Sequence, residues 1–204
     1  MIASAAPSTS ARRKVCLVGI PNCGKSSLFN ALTGGHQKIA NYPGITVEKK
    51  SGDIPKSDIE LFDLPGTYSL EADSPDEAVT LTELIDSDTP IETVLFVIDA
   101  GPMQASLYPL SQVLELGLRV MVCVNRIDAL GTAGKVIDIL ALQDALGVPV
   151  VATIAHKKKG VPALKQKLMQ KQQLPITRRP FVLAQNIEQL RKSTADKIQT
   201  QIEC

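Results

Sequence analysis

The feature that most restricts this chain is an apolar run, Val15 to Val18, that leads into Gly19-Ile20-Pro21-Asn22-Cys23-Gly24-Lys25-Ser26 and then into Ser26 to Leu32 at helical spacing. A strand, a loop of the form G-x-x-x-x-G-K-S and a helix is the context in which such a loop cradles phosphate. Two glycines let successive main-chain N–H groups turn inward, and the helix that follows presents its positive end. Lys25 is expected to reach the β- and γ-phosphates of a nucleotide. Ser26 is expected to offer its hydroxyl to Mg²⁺, with Ser27 beside it in the first turn.

The rest of the chain alternates strands and helices. After the first helix, Thr33-Gly34-Gly35 stops it, and His36 to Thr46 reads as a mobile loop broken by Pro43-Gly44. Val47 to Ile54 and Asp58 to Phe62 predict an antiparallel hairpin, and Ser74-Pro75-Asp76-Glu77 a helix start. Apolar strands are predicted over 93–98, 120–124 and 148–152, with helices over 108–116, 131–146 and 161–171. The expected fold class is α/β: a P-loop NTPase G domain with a mostly parallel twisted sheet of about six strands, one antiparallel edge strand and helices on both faces. Residues 1–12 read as a flexible tail and 13–172 as the nucleotide-binding domain. Residues 173–204 read as a linker and the start of a helical domain, probed by the apolar spacing of Phe181 to Ile202.

Composition narrows the partners. With 204 residues, 44% apolar and a formal net charge of +1, the chain has no bulk charge that selects nucleic acid or an anionic surface. The four cysteines, Cys16, Cys23, Cys123 and Cys204, show no metal-ligand spacing and read as reduced thiols. No stretch approaches the roughly 20 apolar residues of a membrane span, so the sequence reads as a soluble piece.

Three further stretches complete a nucleotide site. Asp63-Leu64-Pro65-Gly66 follows a strand expected beside the loop strand, where Asp63 would contact Mg²⁺ through water and the Gly66 N–H would sense the γ-phosphate. Thr46, preceded by Gly44 and Ile45, would join the ion only with a γ-phosphate present, making the loop an order–disorder switch. In Asn125-Arg126-Ile127-Asp128 the carboxylate of Asp128 can accept from both N1–H and the 2-amino group of guanine, a donor pair that adenine lacks. Thr153-Ile154-Ala155 follows the last strand, and the Ala155 N–H is expected to face the guanine carbonyl. His36 and His156 read as solvent-facing.

Taken in this order, GIPNCGKS, Thr46, DLPG, NRID and TIAHK are similar to the Ras-like translation-factor class of GTPases. NYPGITVEKKSG together with DLPGTYSL, SPDE and LGVPVVAT resembles, more narrowly, the N-terminal G domain of the bacterial ferrous iron transport protein B (FeoB) family. That resemblance implies a GTP-hydrolysing regulatory domain on the cytoplasmic face of the inner membrane, with GTP/GDP and Mg²⁺ as ligands. Its partners would be a C-terminal membrane transport domain of the same protein and small cytosolic regulators, without nucleic acid. A soluble GTPase of ribosome assembly or tRNA modification is the alternative. Arg126 stands where many GTPases have lysine, and Ile154 where serine is common, which suggests weak nucleotide retention. Thr67 stands where a water-orienting glutamine is usual, so either intrinsic hydrolysis is slow or main-chain groups or a remote side chain, with Asp76 and Glu77 as candidates, hold the water. Asn22, Lys25, Thr46, Gly66 and Glu77 are the catalytic candidates, and Asn22 is also a candidate K⁺ ligand.

Overall fold

The computed structural model describes residues 12–42, 46–87, 89–132 and 136–170. Its centre is β1, Arg13–Val18, every residue of which is buried. A strand that is covered on both faces can be continuously apolar, and alternate residues of β1 serve different layers. Val15 and Leu17 pack with Leu28, Phe29 and Leu32 of α1 (Lys25–Thr33) and with Leu164 and Leu168 of α6 (Val161–Met169). Cys16 and Val18 face the other way, toward Leu84 of α2 (Pro75–Ile85) and Leu110 and Val113 of α3 (Met103–Glu115).

The sheet has seven strands in the order β2-β3-β4-β1-β5-β6-β7. β4 (Ile59–Asp63), β5 (Ile91–Asp99), β6 (Val120–Asn125) and β7 (Val150–Ala152) run parallel with β1, whereas β3 (Glu48–Asp53) is antiparallel to both its neighbours. The expected mixed sheet is therefore present with one strand more than the sequence suggests. That strand is β2, Lys38–Asn41, inside the segment expected to be a loop; all four residues are exposed. It lacks an apolar face, and main-chain pairing with β3 alone defines it.

Two helices also depart from expectation. α3 begins at Met103 rather than at Tyr108 and continues through Pro109. The proline removes one main-chain donor, while Leu110, Val113 and Leu114 keep the helix on the sheet. The single helix expected over 131–146 is two: α4 (Asp128–Thr132) and α5 (Ile139–Leu146). Asp138 starts the second, its carboxylate accepting from the N–H groups of Leu140 and Ala141 at 3.0 Å each. The helix start at Ser74 is as read, with Ser74 Oγ accepting from Glu77 N at 3.2 Å. The linker and helix expected over 173–204, and tail residues 1–11, lie outside the described residues. Arg12 pairs with Asp53 at 2.8 Å.

One buried polar group spans the sheet and α2. Glu83 is 8% exposed and accepts from Lys14 of β1 and, at 3.4 Å, from Lys49 of β3. Both ammonium groups also lie over the Phe62 ring, at 5.0 and 5.3 Å from its centroid. No helix among the described residues is long and apolar enough to cross a membrane.

Candidate nucleotide site

At the carboxyl end of β1 the chain turns through Gly19, Asn22 and Gly24, with φ of 155°, 63° and 94°, before α1 begins at Lys25. Positive φ at three positions in six lets the loop curl around its own concave side. No side chain caps the first turn of α1. Lys25 is buried, and its ammonium donates to the Gly19 and Ile20 carbonyls at 2.9 and 3.1 Å, bridging the loop.

The loop is held from outside by two consecutive residues at the end of β6. Asn125 Nδ2 donates to the Cys23 carbonyl at 3.3 Å, and Arg126 Nη1 to the Asn22 carbonyl at 3.0 Å. A trans peptide points its C=O and N–H in opposite directions. Drawing the Cys23 carbonyl toward β6 therefore turns the Gly24 N–H the other way. A Cβ on Gly24 would lie 2.3 Å from Asn125 Nδ2, so the approach requires glycine. Cys23 itself is packed in the core, and burial pushes its thiol up, so it is a neutral thiol at neutral pH.

The same Asn125 organises the base loop. Its Oδ1 accepts from Thr153 Oγ1 at 3.1 Å and from Ala155 N at 3.0 Å. The Ala155 N–H, expected to face guanine, is thus engaged by Asn125. A short 3₁₀ turn over Ala155–Lys157 follows Ile154, which is 8% exposed. It brings His156 into a cavity of about 420 Å³ lined by Asn22, Gly24, Lys25 and Ser26 on one side and Asn125, Arg126 and His156 on the other. His156 is exposed, as the sequence reading expects, and also borders this cavity, with Nε2 3.7 Å from Asp128 Oδ2. His36 is exposed, as expected. Asp128 Oδ2 also accepts from Lys157 Nζ, whose hydrogen bond holds the carboxyl below the usual carboxylate range.

A second cleft of about 330 Å³ adjoins the first through Asn22, Lys25 and Ser26 and is closed by Asp63, Leu64, Pro65 and Gly66. Gly66 fits close against the loop: a Cβ there would lie 2.9 Å from Pro21 N and Cα. Asp63 Oδ1 is buried without a hydrogen-bond partner, and burial raises the Asp63 carboxyl above its ordinary value, opposed by Lys25 and Lys50. An unpaired buried carboxylate oxygen on a cleft that Ser26 also lines is a donor set that fits a hard, oxygen-seeking cation such as Mg²⁺.

The remaining candidates lie around this cleft or outside the described residues. Thr46 is exposed and is not among the residues lining this cleft, and Gly44 and Ile45 lie outside the described residues. Glu77 turns to accept from Ser69 N at 3.3 Å, and it is Asp76 that lines the cleft. Thr67 is buried, with its hydroxyl turned onto Ser69. Glu48 and Lys50 line the cleft as well, and Lys50 stands directly across the ladder from Asp63. The two-residue alternation of Val47-Glu48-Lys49-Lys50 carries that signal, because Glu48 and Lys50 must share a face.

Comparison with known proteins agrees with this geometry. The family model described as ferrous iron transport protein B matches residues 13–168. The Fe(2+) transporter FeoB of Legionella pneumophila (strain Lens) is 44% identical over 159 residues, covering 75% of this chain and 21% of its own length. That of Salmonella typhimurium is 39% identical over 155 residues, covering 73% and 20%. The chain thus spans about a fifth of the length of these curated relatives. Among solved structures, the G domain of the T. maritima FeoB iron transporter is 42% identical with a TM-score of 0.72, covering 79% of this chain and 99% of that one. The cytosolic domain of L. pneumophila FeoB is 43% identical with a TM-score of 0.73, covering 79% and 64%. A GDP-bound variant of the S. thermophilus FeoB G domain is 41% identical with a TM-score of 0.73, covering 78% and 60%. These matches set aside the ribosome-assembly alternative, and the chain belongs to the ferrous iron transport protein B family, of which it carries the N-terminal G domain.

Proposed function

We propose that this domain binds GTP and GDP, hydrolyses GTP slowly, and regulates a ferrous iron transport domain in the same protein from the cytoplasmic face of the bacterial inner membrane. The observation that carries this reading is the pair of adjacent clamps at the end of β6, Asn125 on Cys23 and Arg126 on Asn22, which ties the stretch leading to Asp128 to the phosphate loop beside one cavity. Lys25 and the amides of the loop from Gly19 hold the phosphates, and Asp128 selects guanine through its paired acceptors. Ser26 and Asp63 would hold Mg²⁺, which neutralises phosphate charge when bound.

Slow turnover follows from Thr67. Its short side chain is bonded to Ser69 and is not free to orient a water. Asn22 borders both cavities, which supports a role for its side-chain oxygen in sharing a K⁺ ion with the phosphates. Thr46 would join Mg²⁺ only with a γ-phosphate present, and its release after hydrolysis would be the signal passed to the membrane domain. Small cytosolic regulators would be further partners. Phosphate release from GTP tests the reading: turnover should need Mg²⁺, run faster in K⁺ than in Na⁺, and be lost in Lys25→Ala. Absence of GTP hydrolysis in K⁺ and Mg²⁺ would overturn it.

A further inference from the structure

Asp99 closes β5 beside Asn125 of β6, and the nucleotide reading above gives it no part. It is 6% exposed, a depth at which a carboxylate must be paired. Both its oxygens are used: Oδ1 accepts from Gly101 N at 3.0 Å, and Oδ2 from Arg126 Nη1 at 2.6 Å. The same guanidinium nitrogen spends its other proton on the Asn22 carbonyl at 3.0 Å. Arg126 adopts φ 63°, an uncommon conformation for a residue with a Cβ, and the two contacts at its far end hold it there.

We propose that Asp99 is a positioning residue for nucleotide binding: through Arg126 it fixes the Asn22 carbonyl and so the curl of the phosphate loop. Without the carboxylate, the guanidinium has no buried anchor, because its side chain is otherwise 48% exposed. A planar fork held at one end by a buried charge is directional, whereas a free surface arginine samples many rotamers. The Asn22 peptide lies where both cavities meet, so its orientation bears on the phosphates rather than on the base. Loss of Asp99 therefore weakens GDP and GTP together and leaves the preference for guanine over adenine intact.

This inference rests on the nucleotide reading, and one experiment separates their failures. Binding of a fluorescent GDP analogue is measured for the wild type, Asp99→Asn, Arg126→Met and the double variant, with ATP as competitor throughout. Asp99→Asn and Arg126→Met are each expected to weaken binding about tenfold, the size of one lost charge-assisted hydrogen bond at a half-exposed site. The double variant is expected to be no weaker than Arg126→Met alone, because both act on one contact. Arg126→Lys should recover part of the loss. Wild-type affinity in Asp99→Asn, or losses that multiply in the double variant, would overturn the proposal while leaving nucleotide binding standing. A wild type that does not bind the analogue would overturn both. Should Asp99→Asn fail to fold, Arg126→Met decides alone, and unchanged affinity there would refute the assignment.

Discussion

Asp128 accepts a 2.8 Å hydrogen bond from Lys157, so the carboxylate expected to read the base is joined to the 3₁₀ turn whose His156 lines the cavity beside the phosphate loop. The contact keeps the group ionised, the state in which both oxygens accept. Asp128→Asn replaces one acceptor by a donor. GDP affinity should fall about a hundredfold, and xanthosine diphosphate, whose carbonyl takes the place of the 2-amino group, should bind better than GDP. Competition binding measures both, and unchanged preference for GDP would exclude Asp128 from base reading.

Asp63 carries a charge that its surroundings resist. A carboxyl with a raised value in the folded state costs stability above the unfolded carboxylate range, roughly pH 4, and the cost vanishes as pH falls below it. Asp63→Asn should therefore raise the Tm of the nucleotide-free protein at neutral pH, with a gain that shrinks toward pH 4, while Mg²⁺-dependent turnover is lost. Calorimetry across that pH range, beside a phosphate-release assay, reads both effects. A lower Tm at neutral pH would show that the unpaired oxygen is not a burden.

Both predictions concern residues that local sequence exposes, and the reason is physical. The phosphate loop, Asp63 and Asn125-Arg126-Ile127-Asp128 each follow a buried strand, so the strand period and the turn after it locate them without tertiary knowledge. Contacts between distant residues were not legible in that way. Arg126 and Asp99 are 27 positions apart, and nothing in either neighbourhood declares the pair. β2 has no apolar alternation and is recognisable only from its partner. His156 is exposed, as its polar loop implies, but its place beside the cavity depends on the 3₁₀ turn and is not written in the local pattern. The first turn of α3, from Met103, lies before the stretch 108–116 that the sequence marks, and Pro109 is interior to the helix.

Gly66 tests the fit between the two halves of the phosphate cleft. A methyl group there meets main-chain atoms of Pro21 at 2.9 Å, and neither side can yield as a flexible side chain would. Gly66→Ala should move Asp63-Leu64-Pro65-Gly66 off the loop and reduce GTP turnover by about a hundredfold, with a smaller change in GDP affinity. Equal kcat in the variant would show that this approach does not matter for hydrolysis.

Glu83 tests the framework behind the site. It neutralises Lys14, which is 5% exposed, and removing it leaves that ammonium buried without a counter-charge. Glu83→Gln should cost about 3 kcal/mol of stability, read as a lower urea midpoint at unchanged slope. Glu83→Gln with Lys14→Met should recover part of the loss, because the orphaned charge is gone. A single variant as stable as wild type would mean that the network contributes nothing net.

The central claim is that amides between Gly19 and Ser26 grip a polyphosphate whose base is chosen by Asp128, and titration calorimetry in magnesium buffer tests it most directly. GDP and GTP should release heat with a single site, and ATP at the same concentration should give none. No heat with either guanine nucleotide, or equal affinity for ATP, would contradict it.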